Sequence, residues 1–209
     1  MDGSLLFMLA SRGRLAALET VTGKVVWQLE YQEAFGSDLP TWGFSAAPLV
    51  DGDLLIVEPG GSGPRAVAAL AKRTGEVRWT AQEAHTAYSS PIALQFKSFQ
   101  LFVFLLQEKI VALNREEEIW SVPFALSGNI KPAMPLFIEP DMIMAAASYD
   151  IGAKVVRLQT VGDRLTAQEA WSSLYMRNHF NSSISHNGHI YGFDSATLRC
   201  LDARTGERG

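Results

Sequence analysis

Apolar residues in this chain occur in short runs that are separated by turn residues. One such run lies at residues 4–10, and the most apolar one extends from Leu101 to Leu106. Runs of this length are typical of strands, and they are far shorter than the roughly 20 residues of a membrane-spanning helix. The pattern therefore predicts an all-β chain with no membrane span.

An eleven-residue frame occurs twice in the sequence and organises the rest of it. It reads ALETVTGKVVW from Ala17 to Trp27 and ALAKRTGEVRW from Ala69 to Trp79. In each copy two short strands flank a Thr-Gly pair, and Gly23 and Gly75 provide the positive φ that a tight turn requires. The frame predicts a β-hairpin that ends in a large aromatic residue.

Three further copies of the frame differ in how well they keep its sequence. Cys200 to Glu207 is a good copy with its turn glycine at Gly206, Ala112 to Trp120 has lost the Thr-Gly pair, and Val156 to Trp171 is the weakest. The tryptophans that close the copies recur 41 to 52 residues apart, and they are Trp27, Trp79, Trp120 and Trp171. A period of about 45 residues that contains only short strands is typical of a β-propeller or a similar array.

A second landmark precedes each hairpin. Short apolar segments begin near Ser45, Ser89, Lys131 and Ser182. Asp51-Gly52 and Asn187-Gly188 are strong signals for two-residue hairpin turns, so most of these segments continue through a turn into another strand. Each repeat therefore predicts four antiparallel strands, which is the structure of one propeller blade.

With these motifs the sequence resembles the PQQ-like β-propeller repeat family, which includes quinoprotein alcohol dehydrogenases and the outer-membrane assembly lipoprotein BamB. The resemblance rests on the tryptophan-docking frame, covers essentially the whole chain, and is strongest to an uncharacterised bacterial subgroup. It implies that Trp27, Trp79 and Trp120 pack between neighbouring blades against the turn glycine of the adjoining motif.

Counting strands gives three in the first blade, four in each of three middle blades and three in the last. The approximate blades are residues 1–40, 41–84, 85–126, 127–175 and 176–209. Because relatives usually carry more blades, we interpret the chain as a partial propeller of about five incomplete blades, and the alternative is a short natural propeller. An open arc would expose apolar faces, from which we expect a two-fold homodimer that covers them.

Charge and cysteine content exclude several function classes. The net charge is −4 and no run of basic residues occurs, so a nucleic-acid partner is not expected. The single cysteine, Cys200, excludes an internal disulfide and a zinc site made of several cysteines.

The segments between blades are where a propeller presents functional side chains. We place them at residues 39–44, 83–88, 126–131 and 175–181. Their polar and aromatic side chains are predicted to form a binding surface at one mouth of the central channel, and they are Trp42, His85, Tyr88, Lys131, Arg177, Asn178 and His179. The alternative interpretation is that Trp42 and Phe44 pack under loops while the others are solvated or bind backbone groups.

No catalytic set is recognised in the sequence. The resemblance raises dehydrogenation that depends on pyrroloquinoline quinone, which in that family requires a disulfide between adjacent cysteines, and one cysteine cannot form it. Phosphate loops, nucleophile elbows and zinc motifs are not found either. We therefore expect no cofactor and no metal in this chain.

Two functions remain open. The first is a non-catalytic, BamB-like scaffold that binds a protein or peptide, including by strand addition. The alternative is a fragment of a quinoprotein oxidoreductase whose cofactor residues lie outside this chain. The resemblance implies a periplasmic or cell-envelope location, although no signal-peptide pattern is found here and we expect any such signal in blades beyond these residues.

Overall fold

The short apolar runs form strands, and the turn residues between them lie in antiparallel hairpins. The structure is a computed structural model that describes residues 1–124 and 133–208. Within these residues the strands form five antiparallel sheets, and each sheet pairs strands that follow one another in the sequence. The predicted all-β fold is confirmed, while the blade boundaries at 40, 84, 126 and 175 stay a prediction.

The chain divides into two units, Met1–Tyr88 and Ser89–Gly209. In the first unit, sheet 1 has the order β1 (Leu5–Leu9), β2 (Arg14–Glu19) and β3 (Val25–Glu30), and the helix α1 (Tyr31–Phe35) follows β3. Sheet 2 has the order β4 (Leu49–Asp51), β5 (Leu54–Val57), β6 (Val67–Ala71) and β7 (Val77–Ala81). Among the described residues, no helix is long and apolar enough to cross a membrane.

The second unit contains three sheets. Sheet 3 pairs β8 (Ile92–Phe96), β9 (Phe99–Leu105), β10 (Lys109–Asn114) and β11 (Glu117–Pro123) in chain order. Sheet 4 pairs β12 (Leu136–Ile138), β13 (Met142–Ala147), β14 (Gly152–Val161) and β15 (Arg164–Ser173). Sheet 5 pairs β16 (Ile184–His186), β17 (His189–Asp194) and β18 (Thr197–Asp202).

One of the two turn signals is confirmed, and the other is shifted by one residue. Asp51 pairs with Leu54, so the two-residue turn between β4 and β5 is Gly52-Asp53, with Gly52 at φ +54°. Asn187 and Gly188 have φ values of 47° and 77°, and they join His186 to His189 across the hairpin of β16 and β17. Positive φ at both turn residues is the mark of a type I′ turn, whose twist matches that of the strands.

The Thr-Gly pair stabilises its turn through the threonine hydroxyl. The N–H two residues after each threonine donates to that hydroxyl, at 3.2 Å in Lys24 to Thr22, 3.4 Å in Glu76 to Thr74 and 3.2 Å in Glu207 to Thr205. The glycine between them has a φ from 70° to 75° in all three copies. Side-chain hydrogen bonds of this kind favour turns over continued strands.

Two tryptophans dock on the turn of the following copy within their unit. The Trp27 Nε1–H donates to the carbonyl of Lys72 at 2.9 Å, and a Cβ on Gly75 would lie 2.7 Å from the Trp27 ring. The Trp171 Nε1–H likewise donates to the carbonyl of Ala203 at 3.0 Å. A Cβ on Gly206 would lie 2.6 Å from the Trp171 ring, so both rings need a glycine beneath them.

Each docking hairpin carries a β-bulge at the same place, a feature that the sequence did not reveal. The residue opposite the tryptophan is Ala17, Ala69, Ala112 or Val155, and in all four hairpins the pairing shifts by one residue directly after it. A bulge adds one unpaired residue and turns the strand locally. We infer that the bulge directs each tryptophan side chain away from its own hairpin.

The remaining tryptophans differ in their surroundings. Trp79 is half-buried. Trp120 is buried, and it packs with residues of sheet 4 such as Val156 and Leu158. The expected turn glycine is not beneath Trp120, because Gly162 of the β14–β15 hairpin would meet no atom within 4 Å. The two strands of that hairpin have ten residues each, so its turn lies farther from Trp171 than the turns of the other copies lie from their own tryptophans.

We predict that Gly75→Ala destabilises the protein more than Gly23→Ala. Both residues have left-handed φ values, 75° and 70°, so each alanine pays a similar backbone strain of about 1–2 kcal/mol. Only at Gly75 does the new Cβ also displace the Trp27 ring, which we expect to add about 1–3 kcal/mol. Urea denaturation measures both variants, and equal losses of unfolding free energy would contradict the docking contact.

Candidate functional site

In each unit, a loop between two consecutive strands of a sheet contacts the segment that leaves the same sheet. The Ser11 carbonyl, between β1 and β2, accepts the Phe44 N–H at 2.8 Å. The Glu58 carboxylate, after β5, accepts the Ala87 N–H at 3.1 Å. In the second unit, Tyr149, between β13 and β14, lies with its hydroxyl 3.2 Å from the Nε2 of His179. The candidate binding surface therefore includes loops within a sheet, in addition to the segments between sheets that the sequence predicted.

Trp42 and Tyr88 lie together in the first unit. The Trp42 side chain is 71% exposed, and its backbone N–H donates to the Tyr88 hydroxyl at 3.4 Å. The Ser45 hydroxyl donates to the Tyr88 carbonyl at 3.0 Å. His85 is exposed in the same segment as Tyr88. Phe44 is buried, as the alternative interpretation proposed, but Trp42 is not.

A buried carboxylate positions the Tyr88 segment. Glu58 is buried, and its bond to the Ala87 N–H fixes the residue directly before Tyr88. Tyr88 itself has a φ of 74°, which a non-glycine residue adopts only when its surroundings enforce it. Burial, together with the charge of Glu58, raises the pKa of the Tyr31 hydroxyl.

Arg177 is held by a buried carboxylate in the second unit. Its Nε and Nη2 donate to Asp194 at 2.6 and 3.2 Å, and its backbone N–H donates to the same side chain at 3.3 Å. The Nε of Arg199 donates to the Asp194 Oδ2 at 2.7 Å, the same oxygen that accepts the Arg177 Nη2. The hydrogen bond from the Arg177 side chain, with that from Arg199, lowers the pKa of Asp194 to about 2 against the opposing effect of burial.

Asn178 supports the segment from inside and does not line its surface. Its side chain is 1% exposed, the Nδ2 donates to the Phe193 carbonyl at 2.9 Å, and the Oδ1 accepts the Ser183 hydroxyl at 2.9 Å. A side chain that is buried and bonded internally at both ends is not accessible to a partner. This corrects the expectation that Asn178 belongs to the binding surface.

His179 lies in an aromatic cluster that sequence analysis found only in part. Its ring stacks on Phe180 with a centroid distance of 3.8 Å and meets Tyr149 edge-on at 5.2 Å. Asp150, the neighbour of Tyr149, lies with an oxygen 3.6 Å from the Arg177 Nη1. The missed residues were Tyr149, Asp150 and Phe180, and the signal was an aromatic and an acid in a turn between two apolar strands.

The predicted set is thus observed in two separate groups. Trp42 and Tyr88 are in contact in the first unit, and Arg177, Asn178 and His179 are neighbours in the second. Lys131 lies outside the described residues. Convergence of the groups at one channel mouth stays a prediction. Within residues 1–124 and 133–208, no three His, Cys, Asp or Glu side chains are arranged to hold a metal ion.

The comparison with protein families identifies the repeat. The model described as outer membrane protein assembly factor BamB matches residues 1–208. The chain belongs to this BamB family of PQQ-like repeat proteins. A comparison with curated protein sequences found no match.

Solved structures share the β-propeller fold with this BamB-family chain. BamB from Moraxella catarrhalis has a TM-score of 0.72 at 15% identity, covering 100% of this chain and 61% of that chain. A europium-containing methanol dehydrogenase has a TM-score of 0.63 at 11% identity, covering 100% of this chain and 49% of that one. The quinohemoprotein alcohol dehydrogenase of Comamonas testosteroni has a TM-score of 0.60 at 12% identity, covering 99% of this chain and 41% of that chain. The chain thus spans about three-fifths or less of the length of these structures.

We predict that Asp194→Asn destabilises the protein by about 3 kcal/mol at pH 7, because it removes the anion from a buried ion pair. The folded-state pKa of about 2 lies below the ordinary value of 3.8, so the carboxylate stabilises the fold above pH 3.8. This contribution is lost as the pH falls towards 2, and the difference between variant and wild type should shrink accordingly.

Urea denaturation at pH 7 and pH 3 measures this difference. Asp163→Asn, an exposed turn residue, is the matched control and should change little at either pH. A constant loss of stability across this pH range would show that Asp194 acts through packing and not through its charge.

Proposed function

We propose that this chain is a non-catalytic β-propeller scaffold that presents its loops to a protein or peptide partner. The observation that carries the proposal is the exposure of large aromatic side chains on segments that buried polar groups hold in place. Trp42 and Phe180 are 71% and 78% exposed. Glu58 fixes the segment that contacts Trp42, and Asp194 fixes the one that carries Phe180.

Exposed aromatic residues on a rigid backbone favour binding. Aromatic residues and arginine are enriched at the centres of protein interfaces, where their burial supplies much of the affinity. A surface that is ordered before binding loses less conformational entropy on association. The segment from Arg177 to Phe180 combines both properties, because Asn178 is anchored inside while His179 and Phe180 stack outside.

Membership of the BamB family supports a protein partner. The family is described as an outer membrane protein assembly factor, which is a role played by binding other proteins. Under this proposal the chain acts in the periplasm or cell envelope, as the relatives' description suggests. The side chains that we assign to binding are Trp42, His85 and Tyr88 in the first unit and Arg177 and His179 in the second, with Asn178 as internal support.

Site-specific photocrosslinking in the full-length protein tests this proposal. A benzoylphenylalanine at Phe180 or at Trp42 should capture a protein partner in cells that produce the protein natively. Matched controls are Val161, the last residue of β14, and Val21, in the turn between β2 and β3, which are 67% and 93% exposed. Val161 is the better control for Phe180, because it lies at the opposite end of β14 from Tyr149.

We expect adducts from Phe180 and Trp42 and none from the control positions. An adduct of the chain with itself would identify the predicted homodimer as the occupant of this surface. Equal capture at all positions, or capture only at the controls, would contradict the proposed surface.

A quinoprotein fragment is the second candidate, and the likeness to two alcohol dehydrogenases at TM-scores of 0.63 and 0.60 is what favours it. Within this chain the single cysteine cannot form the disulfide between adjacent cysteines that the family resemblance associates with the cofactor, so this candidate requires cofactor residues outside the chain. The full-length protein, supplied with pyrroloquinoline quinone and calcium, should show no dye-linked alcohol oxidation under the scaffold proposal. Turnover that depends on the quinone would establish the second candidate instead.

A further inference from the structure

Three aromatic rings form a continuous exposed cluster in the second unit. Phe180 is 78% exposed and stacks one face on His179, so its other face is open to solvent. Tyr149 is 57% exposed and meets the same histidine with its ring edge and its hydroxyl. The open face of an aromatic ring carries the negative part of its quadrupole, which attracts cations.

A carboxylate lies beside this cluster and is open to a second cation. The side chain of Asp150 is 94% exposed and follows Tyr149 directly in the sequence. Arg177 approaches it at 3.6 Å, which is longer than a hydrogen bond, while the shorter bonds of Arg177 all go to Asp194. The oxygens of Asp150 therefore keep most of their capacity for an external partner.

The loop that carries these groups holds an unfavourable backbone conformation. Tyr149 and Asp150 are consecutive non-glycine residues with φ values of 56° and 62°, and Met176, at the start of the facing segment, has 58°. Such conformations concentrate at binding sites and active sites. In this loop Tyr149 contacts His179 while Asp150 is exposed to solvent.

We propose that Tyr149, Asp150, His179 and Phe180 bind an arginine side chain of a protein partner. The planar guanidinium stacks on the open face of Phe180 and pairs with the Asp150 carboxylate, a combination that suits arginine better than lysine. The net charge of −4 also favours a basic partner. This inference rests on the proposed scaffold function and specifies the chemistry that its surface recognises.

Titration of the protein with two peptides tests the site. The first probe is the peptide acetyl-Gly-Ser-Gly-Arg-Gly-Ser-Gly-amide, and the second carries citrulline, which has the shape of arginine without its charge. Backbone ¹⁵N chemical shifts report binding at each residue. We expect saturable shifts at Asp150, His179 and Phe180 with the arginine peptide, and binding of the citrulline peptide at least about fivefold weaker.

Three variants assign the contributions. Asp150→Asn and Phe180→Leu should each weaken binding of the arginine peptide about two- to fivefold, because one removes the charge and the other the aromatic face. Asp163→Asn, at the other end of β14, is the control and should bind like the wild type. Asp150 and Phe180 are both exposed, so the melting temperatures of their variants should stay close to that of the wild type.

The outcomes separate this inference from the proposed function. Equal binding of the citrulline peptide, an unchanged affinity of Asp150→Asn, or no shifts at these residues would overturn the arginine site. A protein crosslinked at Phe180 would then still support the scaffold. Conversely, selective arginine binding without any partner captured at Phe180 would support the site and contradict the scaffold.

Discussion

The contact of an indole ring with the turn glycine of the next hairpin is the interaction on which this architecture depends. Hydrogen bonds of a β-ladder join strands only within a sheet, so separate sheets need side-chain contacts to stay together. Trp27 and Trp171 provide such contacts twice, each with an N–H bond to a turn carbonyl and a glycine beneath the ring. Glycine is required there both for its positive φ and for the missing Cβ.

The docking contact also explains the rest of the frame. The threonine hydroxyl accepts a backbone N–H within the turn, and a bulge directly follows the residue opposite each tryptophan. Where the hairpin is lengthened, as in β14 and β15, the ring of the preceding copy packs on strands and no longer on a turn. A hairpin can therefore lose the Thr-Gly turn of the frame when apolar strand residues pack against the preceding tryptophan in place of the glycine.

Rigidity at the loops comes from a different source, which is buried polar chemistry. Glu58 and Asp194 each bind a backbone N–H of a segment that leaves a sheet, and Asn178, which lies in such a segment, binds the backbone of β17. Burying such groups is favourable only when they are satisfied, so their geometry is well defined. Side chains that these anchors hold outside, such as Trp42 and Phe180, gain a fixed position without contributing to the core.

The sequence by itself determined the all-β class, the hairpin frames and the turn residues, because these follow from local rules. Each of these signals is local and involves only a few consecutive residues. Examples are the strand periodicity, the positive φ of Gly23 and Gly75, and the Asn187-Gly188 turn. Of the predicted surface residues, the contact between Trp42 and Tyr88 was found, whereas Asn178 was misplaced because nothing local distinguishes a buried amide from an exposed one. Only the tertiary structure joined Tyr149 and Asp150 to His179 and Arg177, since contacts between loops about 30 residues apart leave no periodic trace in the chain.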